Sequence, residues 1–331
     1  MNKKALIFGI SGQDGAFLSE LLLKKGYEVH GTSRDAEMKK FSSIIELGIK
    51  DEITFHSVAL SDFRSTLKVI EKVSPNEIYN LAGQSSVGLS FEKPLETLES
   101  IVNPTINILE SMRFLGNNFN FFNAGSSESF GDTGNLPANE TTPFRPRSPY
   151  GVAKASAFWQ VLNYRESYGL FASTGIMFNH ESNFRSARFV TRKIVQSAAR
   201  IALGSKEKLV LGDLSIKRDW GWAPEYVDAM WRILQQDIPD DYVIATGIVS
   251  ALEEFVEKVF SALDLKWEEH VTSSNTFYRP SEIKLVFGSS KKAKEKLNWS
   301  ATKLMPDVAS LMALYEFERL KKKKIRIYNN F

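Results

Sequence analysis

Short apolar runs alternate with helical patterns through the first half of the chain. ALIFGI, from Ala5 to Ile10, is a continuous apolar stretch of strand length. Gly-rich punctuation separates it from AFLSELLLKKG, which starts at Ala16 and carries apolar residues at helical spacing. The same alternation continues through YEVHGTS from Tyr27, EITFHSVAL from Glu52, EIYNLAG from Glu77 and FNFFNAG from Phe119. Strands alternating with helices predict a parallel sheet covered on both faces. Right-handed crossovers then make it a doubly wound α/β sheet of the Rossmann type.

After about Phe178 the pattern becomes irregular, and basic and aromatic residues cluster at Arg185, Arg188, Arg192, Lys193, Arg218 and Trp220. The expected organisation is a dinucleotide-binding domain over residues 1–178 and a smaller C-terminal substrate-binding lobe over 179–331. Segments near 220–247, such as DYVIATG from Asp241, are expected to return to the first domain.

Composition narrows the chemistry. The 42 basic and 39 acidic side chains nearly cancel, so no general field draws the chain to nucleic acid or to an anionic membrane. No apolar run approaches the roughly 20 residues of a membrane span. In MNKKALIFGI, two lysines precede an apolar run, but Gln13 and Asp14 soon follow, and a buried first strand is the reading preferred over a signal peptide. The absence of cysteine excludes disulfides and thiol nucleophiles and fits a cytoplasmic setting. His30, His56, His180 and His270 show no ligand-like pairing, so no metal is expected. Lys321 to Lys324 read as the solvated end of a last helix, where positive charge suits the dipole.

Two motifs carry chemistry. GISGQDG (Gly9, Ile10, Ser11, Gly12, Gln13, Asp14, Gly15) follows the first strand and opens a helix, the context in which spaced glycines admit a dinucleotide pyrophosphate to helix N–H groups. At the end of the second strand an acidic residue would hold a ribose 2′-hydroxyl, but Ser33 and Arg34 stand there, which favours NADP over NAD; Asp35 opposes that preference. SPYGVAKAS places Tyr150 and Lys154 four residues apart, on one helix face. An ammonium beside the phenol is expected to favour phenolate, so that Tyr150 can take a proton from a sugar hydroxyl as hydride leaves.

In order along the chain, GISGQDG, NLAGQSSV, GSSESFG, SPYGVAKAS, RESYG, NHES, FVTRKI, KRDWG and YRPSE resemble the GDP-mannose 4,6-dehydratases, members of the extended short-chain dehydrogenase/reductase family. The likeness runs from about Lys4 to Trp299. It implies a nucleotide-sugar dehydratase that borrows and returns the hydride of NADP, acts on a GDP-linked hexose, and assembles as a homodimer or homotetramer. The catalytic set it implies is Ser126, Glu128, Tyr150 and Lys154, with Glu128 as the base that removes the proton on C5. An oxidation alone needs only a tyrosine, a lysine and a hydroxyl, whereas elimination needs a second acid/base group.

Beyond the glycine loop, the resemblance implies cofactor contacts from Arg34, Ala59 and Leu60, from Leu81, Ala82, Gly83 and Gln84, from Tyr150 and Lys154, and from His180 and Arg185. It implies substrate contacts from Ser85, Ser127, Asn179, Lys193, Arg218, Arg279 and Glu282. Several positions depart from the family pattern. Ser126 stands for threonine, Ala59 for an aspartate that contacts adenine, and Ser86 for a histidine. Asn183, Phe184 and Ala187 replace proline, arginine and glutamate, where sugar specificity could be affected. DAEMKKFSS from Asp35 replaces a loop that joins dimers into tetramers in many members, which favours a dimer here. The alternatives are a dehydratase of another GDP-sugar such as GDP-manno-heptose, an epimerase or reductase that would not need Glu128, and a non-catalytic dinucleotide sensor.

Overall fold

The first strand shows why the sheet is covered on both sides. Ala5, Leu6, Ile7 and Phe8 are all fully buried. Side chains alternate across a strand, so Ala5 and Ile7 enter one apolar cluster and Leu6 and Phe8 another. Burying each large side chain contributes roughly 1.5–3 kcal/mol.

The computed structural model describes residues 2–116, 119–274 and 281–328. Its strands are β1 (Lys4–Phe8), β2 (Glu28–Ser33), β3 (Ile53–Ser57), β4 (Glu77–Asn80), β5 (Asn120–Ser126), β6 (Ala172–Met177), β7 (Asn179–Glu181), β8 (Leu209–Leu211), β9 (Lys217–Arg218), β10 (Trp220–Trp222), β11 (Tyr242–Ile244), β12 (Ser250–Ala251), β13 (Val271–Ser273) and β14 (Leu285–Val286). The helices are α1 (Gln13–Lys24), α2 (Ser42–Glu46), α3 (Phe63–Val73), α4 (Val87–Glu92), α5 (Pro94–Leu115), α6 (Pro149–Tyr168), α7 (Val190–Ala202), α8 (Ala223–Leu234), α9 (Leu252–Ser261), α10 (Lys291–Leu297) and α11 (Met305–Tyr328).

Seven strands form one parallel sheet in the order β11-β6-β5-β4-β1-β2-β3. The chain winds outward from β1 to β3, then returns to β4 and winds the other way. The order therefore reverses between β1 and β4, and ligands of such sheets bind in the crevice beyond the strand ends at that point. Apolar residues of α1 and α8 cover one face, and those of α3, α5 and α6 cover the other. The sheet is the doubly wound α/β sheet expected from the alternation of runs.

The remaining strands are short. β8 pairs with β13, β9 lies between β12 and β14, and β10 pairs with β7. A separate core packs around Ile194, Val195, Phe255, Val259 and Met312, from α7, α9 and α11. Among the described residues no helix is long and apolar enough to cross a membrane, and no cluster of three or more His, Asp or Glu could hold a metal ion.

Candidate active site

Two helix starts and one strand end build the site. β5 stops at Ser126, whose Oγ accepts the Glu128 amide at 3.3 Å and bends residues 127–129 into a single 3₁₀ turn. Helix α6 begins opposite, with Ser148 as cap, accepting the Gly151 amide at 3.0 Å, and Pro149 in the first turn. Tyr150 thus falls in the first turn of α6 and Lys154 one turn later, both buried. An added Cβ at Gly151 would stand 2.6 Å from the carbonyl oxygen of Glu128, so glycine lets the helix approach the turn.

Tyr150 shares a side-chain hydrogen bond with Ser126, and the Glu128 carboxylate lies close enough for its charge to act on the phenol. Lys154 Nζ donates to the Ala124 carbonyl at 2.7 Å and stands 5.8 Å from the centre of the Tyr150 ring. Burial pushes the Tyr150 hydroxyl up to about 12; the Ser126 bond and the charge of Arg185 oppose this, while Glu128 and Asp14 add to it. Burial also lowers Lys154 to about 8, with the Asp14 charge pulling the other way. This corrects the expectation that the lysine brings the phenol down. Burial is the largest influence on both groups, and it acts against the charged form of each.

The glycine loop lies at the end of β1, beside the end of β4. Gly9 has φ +88°, and a Cβ there would come within 2.8 Å of the backbone of Leu81 and Ala82. Only glycine allows the loop to press against the strand that carries Leu81, Ala82 and Gly83. No side chain caps α1, which leaves the first-turn N–H groups of the helix for an anionic ligand. These features fit a dinucleotide diphosphate at the chain reversal.

Several residues expected to touch the cofactor also hold partners within the protein. Gln84 Nε2 donates to Ser86 O and Thr97 Oγ1, so its side chain braces the start of α5. The Ala59 amide donates to Ser65 Oγ, the Ala59 carbonyl accepts from Asp62, and Leu60 O accepts from Asn107. These groups serve the turn into α3. Ser11 lines a pocket of about 390 Å³ together with Lys39, Lys40, Ser42 and Ser43, and exposed Arg34 begins the same loop.

Directly after β6, the short strand β7 carries Asn179 and His180, and His180 meets the start of α1. His180 Nε2 lies 2.9 Å from Asp14 Oδ2 and its Nδ1 2.7 Å from the Phe178 carbonyl, so both ring nitrogens are engaged within the protein. Burial alone would lower the imidazole, but the charge and hydrogen bond of Asp14 prevail and raise it. Asp14 is correspondingly lowered: burial works upward, and His180 outweighs it. Arg185 stands 3.6 Å over the Phe189 ring and 3.1 Å from Glu181.

Arg218 and Glu282, read separately from sequence as substrate contacts, are brought together in a 2.7 Å ion pair. Lys193 Nζ donates to Val210 O at 2.7 Å, and burial lowers its pKa. Ser127 is buried in the 3₁₀ turn and Ser85 is exposed beside Gln84. Arg279 lies outside the described residues. Sequence reasoning missed Asp219, fully buried next to Arg218, which accepts the amides of Thr246 and Gly247 at 2.9 Å each and pins the loop after β11. Its only sequence signal is an acidic residue inside KRDWG.

Comparison with known proteins accords with this geometry. The family model for GDP-mannose 4,6 dehydratase matches residues 6–312. GDP-mannose 4,6 dehydratase 2 of Arabidopsis thaliana is 43% identical, over 98% of this chain and 90% of its own length. The human GDP-mannose 4,6 dehydratase is 45% identical, over 89% of this chain and 86% of its own length. The chain belongs to the GDP-mannose 4,6-dehydratase family. Its fold is shared by dTDP-glucose 4,6-dehydratase of Bacillus anthracis in complex with NAD, with a TM-score of 0.84, 18% identity and coverage of 97% of this chain and 98% of that one. RMD from Pseudomonas aeruginosa complexed with NADPH has a TM-score of 0.79 at 21% identity and covers 96% of this chain, with 99% of its own covered.

Three of the departures from the pattern of the GDP-mannose 4,6-dehydratase family make identifiable contacts. Ser126 keeps the hydroxyl and uses it twice, on the Glu128 amide and on Tyr150. Ser86 caps α4, its Oγ accepting the Leu89 amide at 3.3 Å. Phe184 stacks on Phe17 of α1 at 4.9 Å. Its ring therefore packs against the dinucleotide domain, a role the sequence alone did not suggest for a position linked to sugar specificity.

Proposed function

We propose that the chain converts GDP-D-mannose to GDP-4-keto-6-deoxy-D-mannose and water, with NADP reduced and reoxidised within each turnover. The observation that carries the reading is the pairing of Tyr150 with Glu128: a redox tyrosine, and an acid/base carboxylate two residues past Ser126 whose charge reaches the phenol. A nicotinamide dinucleotide, held by the glycine loop of residues 9–15 and by Tyr150 and Lys154, would supply a reversible hydride acceptor and, when oxidised, a positive charge favouring phenolate at Tyr150. Tyr150 takes the proton of the C4 hydroxyl, and Ser126 holds that oxygen in line. Lys154, fixed to Ala124, keeps its charge near the phenol. The resulting ketone acidifies C5–H; Glu128 removes that proton and delivers it to the departing C6 hydroxyl, which leaves as water. C5 then takes a proton from solvent, and Tyr150 releases to solvent the proton it took from the C4 hydroxyl, so both groups regain their starting states.

Three observations support NADP over NAD. No carboxylate closes β2, Lys39 and Lys40 line the pocket beside Ser11, and Asp35 is turned to its own loop, accepting the amides of Glu37 and Met38 at 3.1 and 3.0 Å. These two bonds tie Asp35 Oδ1 to its own loop, which weakens its opposition to a 2′-phosphate. Asn179, Lys193 and the Arg218–Glu282 pair are the substrate contacts of this reading, and the compartment is the cytoplasm. Exposed Leu95 and Phe114 on α5 and Trp159 on α6 support a homodimer through these helices. The reading is tested by incubating the protein with GDP-linked and other nucleotide-linked sugars and following mass. Loss of one water from GDP-mannose without net NADPH is expected; no loss from any sugar would refute it.

A further inference from the structure

Three contacts of different chemistry fasten the segment after Asn179 to the first turns of α1. His180 pairs with Asp14 at 2.9 Å, Ser182 Oγ donates to Gln13 Oε1 at 2.7 Å, and the Phe184 ring stacks on Phe17 at 4.9 Å and 26°. Gln13 Nε2 adds a bond to the His180 carbonyl at 3.1 Å. All the α1 partners fall within residues 13–17, at the start of the helix, where Gly12 provides no side-chain cap.

The charge state of the clamp follows from its partners. A carbonyl can only accept, so His180 Nδ1 carries a proton toward Phe178 O. Nε2 faces the Asp14 carboxylate, whose charge and hydrogen bond raise the imidazole above its ordinary value. The ring stacks 4.6 Å from Tyr226, with Arg185 the other charge nearby.

We infer that this clamp couples the dinucleotide and nucleotide-sugar sites, with Gln13, Asp14, Ser182 and Phe184 as positioning residues. The inference rests on the function proposed above. Gln13 and Asp14 offer main-chain N–H groups to the dinucleotide while their side chains hold the segment that runs from Asn179 to Arg185. A ligand that orders the first turn of α1 therefore also orders that segment. The coupling is reciprocal, each ligand tightening the other by the same factor.

The test is calorimetric titration of the full chain with GDP, with and without saturating NADP, and the reverse titration. For the wild type we expect GDP to bind about fivefold or more tightly when NADP is present, and the reciprocal factor for NADP. In Ser182→Ala, and in Ser182→Ala combined with Phe184→Leu, that factor falls toward one; the single variant serves if the double one does not fold. An unchanged factor in Ser182→Ala, or no coupling in the wild type, overturns the clamp. Failure of the wild type to bind either ligand overturns the functional reading beneath it.

Discussion

Gly151 sits against Glu128 so closely that a Cβ would lie 2.6 Å from the Glu128 carbonyl oxygen. The start of α6, and with it Tyr150, is thereby set against the turn that carries the carboxylate. Gly151→Ala must push the two apart. It should cost about 1–3 kcal/mol of stability in denaturant melts. It should also lower turnover more than it weakens cofactor binding, because the spacing of two acid/base groups changes.

Tyr150→Phe removes the proton acceptor for C4 and should lower turnover roughly 100- to 10,000-fold. The Ser126–Glu128 turn does not depend on the phenol, so GDP affinity measured by calorimetry should change little. A variant that turns over at the wild-type rate would remove Tyr150 from the chemistry.

The Asp14–His180 pair makes stability depend on pH in a defined window. His180 is raised from 6.5, so its contribution is complete below about 6.5 and is lost as pH rises through the higher folded value. Asp14 is lowered from 3.8, so its contribution is complete above about 3.8 and is lost as pH falls through the lower folded value. Asp14→Asn should therefore cost most, about 1.5–3 kcal/mol, near pH ~5. The cost should shrink in alkaline buffer. Urea melts at the two pH values read the difference.

If Lys39 and Lys40 face the 2′-phosphate, replacing both by glutamine should weaken NADP binding about tenfold, by loss of two exposed charge pairs of ~0.5–1 kcal/mol each. NAD affinity should stay within about twofold. Fluorescence titration of the two dinucleotides compares them directly, and equal losses would assign the lysines to the loop fold alone.

The sheet and the motifs of the site were legible because each rests on local pattern. Ala5 to Phe8 is an apolar run of strand length, SPYG caps and opens α6, and GISGQDG follows a strand. What was not legible depends on distant partners. The i, i+4 spacing of Tyr150 and Lys154 shows that they share a helix face, but not that both are buried, and burial moves their pKa values. Asp14 and His180 lie 166 positions apart, and Phe17 and Phe184 are as distant in sequence, so nothing local announces the clamp. Arg218 and Glu282 looked like two independent charges until the fold paired them.

The role of Glu128 as the base at C5 is tested most directly by Glu128→Gln with GDP-mannose in deuterated water, read by mass together with the absorbance of reduced nicotinamide. The wild type should lose one water and take up one deuterium at C5. The variant should still reduce the dinucleotide while releasing no dehydrated product and exchanging no C5 proton. A dehydrated, deuterated product at the wild-type rate from Glu128→Gln would contradict the account.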